Sequence, residues 1–337
     1  MFAINITAVL AYKFGCATTV AMVCEMIRIQ MKTHSYIREK ILFGMAPNEY
    51  TYFIPKDLNI GRKDLCIPTI DVKDVQTELG RYMYFFFAPT LIYRDEYPRL
   101  SNKIRWTNVL YLILNCIGSF VYTFVMFQTF CVPYFRESWK DPWSMNKFLM
   151  SMFRAMAPST MIFFLSFFGV FHGWFNLFAE LMNFGDRKFY EDWWNSASWG
   201  NYYRKWNSIG YDWLHTYVYQ DLVRFTNGRI GRTFSYVFVF LYSAIAHEFI
   251  ISMSFRFFYP VLLLCFLCPG MIFISITKTD RRLMNVFFWA MLLIGNGILM
   301  ILYSWEYYAR LRYDFSTEYG YMNFMVPHSW FVTGSDN

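Results

Sequence analysis

One histidine lies in the middle of a long apolar run, where ionisable side chains are rare. His247 stands in the segment 241–250, which reads LYSAIAHEFI. An ionisable group at membrane depth indicates a functional site, and imidazole is the side chain that accepts and releases a proton near pH 7. His247 is therefore a candidate general base. The alternative is a core histidine that is hydrogen-bonded to a neighbouring helix.

The residues around His247 indicate how its helix is oriented. Ser243 precedes it by four residues, so the two side chains share one face, a turn apart. Glu248 points about 100° round the helix, a direction that suits a structural hydrogen bond better than contact with the same substrate atom. Ala244 and Ala246 leave room beside the imidazole.

A second group of candidates lies in an aromatic, polar stretch upstream. Phe189–Asn195 reads FYEDWWN, and Trp206 and Asn207 follow it. The Asn207 amide could donate to a developing oxyanion, a contact whose loss typically costs ~10²–10³ in turnover. Alternatively, Asn207 caps or packs an interfacial helix. The aromatic stretch could likewise be an interfacial anchor in which Asp192 is a cap residue.

The elements that must position these groups are membrane helices. Of the 337 residues, 56% are hydrophobic, 23% aromatic and 16% charged, whereas soluble domains average ~25% charged residues. Apolar stretches that can supply the ~20 residues of a spanning helix are 107–135, 146–183, 233–255, 257–277 and 283–305. The predicted fold class is all-α, a polytopic membrane helical bundle with roughly six to seven spanning helices and additional interfacial helices.

The intervening segments are more polar. Residues 1–30 read as a helix that spans or ends at the interface, 44–81 as an exposed loop, 85–99 as a re-entrant or interfacial turn, and 185–232 as short amphipathic helices. Three arginines lie at the N-terminal end of the His247 helix: Arg224, Arg229 and Arg232. They predict that this end lies on the cytoplasmic side of the membrane. They could also bind a phosphate-bearing ligand there.

Several classes of function are disfavoured. The net charge of +7 is scattered over connecting segments, and no basic module indicates a nucleic-acid partner. Cys265 and Cys268 have metal or redox spacing but lack a second pair or a nearby histidine. No HExxH pair, glycine-rich phosphate loop or GxSxG elbow is present, so no metal site is predicted. Repeated halves and a charged pore ring, which would favour a transporter or channel, are not visible.

Taken together, these motifs resemble the membrane-bound O-acyltransferase superfamily and, within it, the sterol O-acyltransferases. The resemblance rests on FYEDWWN at Phe189–Asn195, on the pair His247-Glu248 and on FAPTLIYRDEYPR at Phe87–Arg99. It implies a multi-pass enzyme of the endoplasmic reticulum membrane that moves a long-chain acyl group from acyl-coenzyme A (acyl-CoA) to the 3β-hydroxyl of a sterol. It also implies no tightly bound cofactor, and a homodimer or homotetramer.

The resemblance assigns a role to each candidate residue. His247 would be the general base, Asn207 would lie near the thioester carbonyl or the histidine, and Trp206 would line the reaction chamber. Five residues match family positions that contact acyl-CoA: Asn201, Arg204, Tyr219, Arg232 and Ser243. Tyr211 joins them as a substrate-binding residue, although it stands where the sterol enzymes usually have a histidine.

Two alternatives stay open. Diacylglycerol or a long-chain alcohol could be the acceptor, because each presents a hydroxyl to the same base. Residues 1–337 are expected to form a single membrane-embedded acyltransferase domain that lacks the family's cytosolic N-terminal region and first helices. The chain could therefore also be an inactive, truncated homologue that binds lipid.

Overall fold

The computed structural model confirms a helical protein. It describes residues 14–42, 78–100, 103–138, 140–226, 231–267, 281–312 and 320–330, together with residues 7, 11 and 12. Within these ranges the chain forms helices and connecting loops, and β pairing is confined to a single bridge between Arg99 and Phe184. The all-α class predicted from the sequence is thus confirmed.

The helices are numbered here in chain order. They are α1 (Cys16–Ile37), α2 (Glu78–Phe87), α3 (Trp106–Ser138), α4 (Met145–Leu181), α5 (Trp199–Trp206), α6 (Ser208–Trp213), α7 (Gln220–Phe225), α8 (Arg232–Phe255), α9 (Val261–Cys265) and α10 (Arg281–Arg312). Stretches of π-helix extend α1, lie within α3 and α4, and join α6 to α7: Arg38–Leu42, Phe127–Cys131, Phe168–Trp174 and Leu214–Tyr219.

Four helices in the described part of the chain are long and apolar enough to cross a membrane. They are α3, α4, most of α8 and α10, and they fall on four of the five apolar stretches that predicted spans. The fifth stretch, 257–277, contains α9, and its remainder from residue 268 lies outside the described residues. The polar stretch 44–81 also lies outside them as far as residue 77. In the N-terminal segment, the helix Cys16–Ile37 continues beyond the predicted end at residue 30.

Close packing of α3, α4 and α10 forms the largest core. A Cβ atom on Gly297 of α10 would lie 3.1 Å from the carbonyl oxygen of Met152 in α4, so the missing side chain of this glycine favours the close approach of the two backbones. In α4, a Cβ on Gly173 would lie 2.7 Å from the Cys116 sulfur of α3, so a larger residue there would displace that side chain. Seven buried side chains fill the interface: Cys131, Phe135, Met152, Ala155, Ile301, Trp305 and Ala309.

The segment after α2 is non-helical, as the two prolines of 85–99 predict. Lys32 of α1, which is only 2% exposed, donates from Nζ to the carbonyl oxygens of Phe85, Phe86 and Ala88 at 2.5, 3.0 and 2.7 Å. The last carbonyls of a helix lack partners within it, and irregular backbone at membrane depth requires cover by protein or water. Lys32, on a neighbouring helix, supplies hydrogen-bond donors to these carbonyl oxygens and also covers the irregular backbone that follows α2.

Candidate active site

The aromatic stretch Phe189–Asn195 places two of its rings in the protein core and leaves Trp194 exposed. Phe189 and Trp193 are buried. The backbone N–H of Glu191 donates to the Lys205 carbonyl at 2.9 Å, and the N–H of Ser208 donates to the Phe189 carbonyl at 3.1 Å. The stretch therefore holds the junction between α5 and α6, where Asn207 lies, and the interfacial-anchor alternative is wrong for its buried rings.

Asp192 precedes a short 3₁₀ turn, Trp193–Asn195, at the N-cap position. Its side chain makes no cap hydrogen bond there. The interpretation of Asp192 as a cap residue is thus right about its position and wrong about the bond.

Trp206 packs inside an aromatic cluster that joins α5 to α4. Its ring lies parallel to Phe163 at 4.5 Å between centroids, and it contacts Phe167 at 4.1 Å and Trp193 at 4.8 Å. Aromatic pairs at these spacings stabilise packing beyond their buried area. The cluster therefore fixes the end of α5 next to Asn207, and the prediction that Trp206 lines a chamber stays a prediction.

Asn207 is a helix cap, as one of the two sequence interpretations had it. Its Oδ1 accepts from the backbone N–H of Gly210 at 2.8 Å, at the start of α6. Asparagine is among the best N-cap residues because it satisfies a backbone donor that the helix leaves unpaired. The cap uses only the Oδ1 atom of the side-chain amide and thereby fixes the direction of the amide Nδ2–H groups. These N–H groups retain their capacity to donate hydrogen bonds.

His247 lies in the membrane-spanning part of α8, eight residues before its last residue. Its Nδ1 is 2.7 Å from the carbonyl oxygen of Ser243. A carbonyl oxygen only accepts, so Nδ1 carries the hydrogen, and in the neutral ring Nε2 keeps the lone pair. The predicted shared face of Ser243 and His247 is confirmed, with the backbone of Ser243, and not its hydroxyl, as the partner.

The imidazole of His247 has accessible surface despite its position within the span. Its ring lies 5.5 Å from that of Phe266, at an angle of 30°. A polar ring that faces hydrocarbon is unfavourable. The accessible surface of the ring therefore marks His247 as a polar group within the span that the described side chains leave uncovered.

Glu248 takes the structural role that its direction predicted. The carboxylate is buried at 3% exposure and accepts from the hydroxyl of Tyr303 in α10 at 3.0 Å and from the backbone N–H of Leu263 in α9 at 3.0 Å. The Tyr303 hydroxyl in turn accepts from the N–H of Leu262. These bonds tie α8, α9 and α10 together one residue away from His247, and thereby fix the position of His247 in the bundle.

A group of aromatic side chains that the sequence did not single out connects His247 to α5. Phe266 contacts both Phe240 of α8 and Tyr203 of α5, with centroid distances of 5.5 and 5.7 Å, and Tyr203 contacts Phe240 at 4.9 Å. Phe240 precedes His247 by seven residues, which is a helical spacing that could have indicated it. Phe266 lies in a uniformly apolar stretch and carried no such signal.

Asn201 and Arg204 are brought together on α5. The Arg204 guanidinium donates to Asn201 Oδ1 at 2.6 Å, and Arg204 is exposed. Burial raises the pKa of the Tyr211 phenol, and the positive charge of Arg204 opposes that rise. Tyr211 is thus a neutral phenol and cannot replace histidine as a base.

Three further residues are predicted to contact acyl-CoA, and they lie in α8 and in the π-helical stretch after α6. Tyr219 ends the π-helical stretch after α6, and Ser243 lies in α8. Arg232 begins α8, but its side chain lies outside the described residues. Among the residues that the structure does describe, no three His, Cys, Asp or Glu side chains come together to hold a metal ion.

The helices and this site define a multi-pass membrane protein with a histidine within a spanning helix and an amide at the start of α6. Residues 45–305 match the model of the membrane-bound O-acyltransferase family. That range covers more than half of the chain and includes Asn207, His247 and the stretch Phe189–Asn195. The chain belongs to this family.

Curated relatives are similar to the chain over nearly its whole length. Sterol O-acyltransferase 1 of Mus musculus is 37% identical over 324 residues, which are 96% of this chain and 56% of that protein. Sterol O-acyltransferase 2 of Homo sapiens is 36% identical over 318 residues, 93% of this chain and 56% of that protein. The resemblance to sterol O-acyltransferases is thereby confirmed. The chain spans little more than half the length of the curated relatives that it matches.

Proposed function

We propose that this protein transfers a long-chain fatty acyl group from acyl-CoA to the 3β-hydroxyl of a sterol and releases coenzyme A. The observation that carries the proposal is the hydrogen bond from His247 Nδ1 to the Ser243 carbonyl. It leaves Nε2 as a proton acceptor inside a membrane span, where a sterol hydroxyl arrives from the bilayer. The similarity to proteins named sterol O-acyltransferases supports this acceptor.

The proposed reaction needs one base and one donor. His247 Nε2 takes the hydroxyl proton while the sterol oxygen attacks the thioester carbon, so that an O–H bond breaks and a C–O bond forms. The tetrahedral intermediate then loses the thiolate of coenzyme A, and the imidazolium returns the proton to that sulfur. Positioned acid–base catalysis of this kind contributes ~10²–10⁴ in rate.

Asn207 is the proposed donor to the developing oxyanion. Its Oδ1 is committed to the cap on Gly210, and this bond orients Nδ2. A donor that is already oriented stabilises the transition state without reorganising at the moment of reaction. Acyl-CoA is proposed to reach the site past Asn201, Arg204, Tyr211 and Tyr219, with Arg232 and Ser243 as further contacts. Location in the endoplasmic reticulum membrane stays a prediction. Assembly into a homodimer or homotetramer also stays a prediction.

The acceptor is tested by competition. Membranes that contain the chain are supplied with labelled oleoyl-CoA and equal amounts of cholesterol and diacylglycerol. We expect the label in steryl ester, because the base needs only a hydroxyl and the similarity favours the sterol. Label that goes mainly into triacylglycerol would replace the sterol with diacylglycerol as acceptor. A folded protein that binds sterol but yields no ester would support the lipid-binding alternative.

The two roles of Asn207 can be separated by one substitution. Asn207→Asp keeps an oxygen that caps α6, since aspartate caps as well as asparagine does. The substitution removes the amide NH₂ group that is proposed to donate to the oxyanion. We expect turnover to fall by ~10²–10³ with little change in thermal unfolding. Asn207→Ala, the matched control, should lose turnover and also ~1 kcal/mol of stability. Full activity in Asn207→Asp would restrict Asn207 to capping.

A further inference from the structure

Four aromatic rings stack in a row along one side of α6 and α8. Tyr211, His215 and Tyr219 follow each other at intervals of four residues, with centroids 5.9 and 5.2 Å apart and angles of 19° and 16°. Tyr236 of α8 continues the row at 4.7 Å from Tyr219 and 28°. The i→i+5 bonds of a π-helix widen each turn, so residues four apart lie nearly above one another. We call this row the ring wall.

The ring wall faces away from the packed side of its own helix. Trp213 and Tyr217 are buried, and Trp213 Nε1 donates to Ser35 Oγ of α1 at 3.0 Å. Side chains two positions apart do not share a helix face, so His215 points away from both. Tyr211, His215 and Tyr219 are only partly buried, and the ring wall therefore offers an accessible surface.

His215 gives this surface hydrogen-bonding capacity. Within the described residues its ring nitrogens make no hydrogen bond to protein, and neither is sealed from the surface. Burial lowers the pKa of His215, so the neutral ring offers one N–H donor and one bare nitrogen at pH 7. At the Tyr211 end of the ring wall, burial raises the pKa of the phenol and the positive charge of the exposed Arg204 lowers it. A cation and an imidazole beside flat rings suit a ligand that carries phosphate groups.

We propose that His215 sets the affinity for the acyl donor by contacting a phosphate of coenzyme A through its ring N–H. The inference rests on the proposed acyl transfer, in which Tyr211 and Tyr219 on either side of His215 contact the donor. At Tyr211 the chain has a phenol where the resemblance leads one to expect an imidazole. His215 supplies an imidazole one turn further along the same face.

The test compares two ligands in one variant. His215→Phe keeps a flat ring in the stack and removes both nitrogens. We expect its Kd for coenzyme A, measured by displacement of labelled oleoyl-CoA from the purified chain, to rise about tenfold, as for loss of one hydrogen bond to a charged group. Its Kd for pantetheine, which lacks the phosphates, should stay at the wild-type value. His172→Phe is the matched control, because His172 also stacks on a ring, Phe168, at 4.7 Å.

Each result decides the matter. Equal losses for coenzyme A and pantetheine would mean that His215 only supports the stack, and unchanged affinity for both would remove it from the donor site; either outcome overturns the proposal. The measurement needs no turnover. A wild-type chain that binds coenzyme A but forms no ester would therefore count against the proposed reaction and leave the test of His215 valid.

Discussion

Substituting alanine for His247 is expected to lower steryl ester formation by about 10²–10⁴-fold, the contribution of a positioned general base. The protein should remain folded, because within the described part of the chain the side chain hydrogen-bonds only to the Ser243 carbonyl of its own helix. The buried bonds that hold α8 against α9 and α10 belong to Glu248 and stay in place. The measurement is the initial rate of labelled steryl ester synthesis at saturating oleoyl-CoA and cholesterol.

A second histidine in a membrane span serves as the control for His247. His172 of α4 is 3.0 Å from the Tyr190 hydroxyl through Nδ1, which identifies it as a core histidine with a side-chain partner. We expect His172→Ala to retain ester synthesis within a few-fold, since the proposed mechanism gives it no proton to move. Retention of more than a tenth of the wild-type rate in His247→Ala would place the base elsewhere.

The helical period made the neighbourhood of His247 predictable. One turn relates Ser243 to His247, and the 100° step to Glu248 directs that carboxylate to other helices; both expectations hold in the structure. The membrane-spanning helices were equally predictable from the sequence, because ~20 apolar residues with few charges have few stable alternatives to a membrane helix. Local sequence therefore sufficed wherever the determining contact lay within one helix.

Contacts between distant segments decided what the sequence left open. Asn207 could cap a helix or face a substrate, and only the start of α6 at Ser208 settles that Oδ1 caps. Lys32 caps α2 across more than fifty residues, which no local pattern indicates. The stacking of His215 between two tyrosines depends on a π-helical stretch, and such stretches are too rare to be expected from sequence.

Glu306 is a buried residue whose loss should cost much stability. Its carboxylate, 0% exposed at the end of α10, accepts from Arg310 Nε at 2.6 Å and from the backbone N–H groups of His328 and Ser329 at 2.9 and 3.0 Å. Arg310 also donates to the carbonyl oxygens of Asn323 and Val326. The carboxylate thus fastens the segment 320–330 to α10.

Glu306→Ala should lower the free energy of unfolding by about 3–5 kcal/mol, because it leaves a buried guanidinium without its counter-charge and backbone donors without an acceptor. Thermal unfolding in detergent would report this as a Tm lower by roughly 5–10 °C.

Glu137→Ala is the control, because it removes another helix-end glutamate paired with a cation, Lys140, but both side chains are more than half exposed. Exposed pairs contribute only ~0–1 kcal/mol, so this variant should unfold near the wild-type Tm. Equal Tm values for the two variants would mean that burial of Glu306 adds nothing to its ion pair, and that the segment 320–330 is held by its apolar contacts instead.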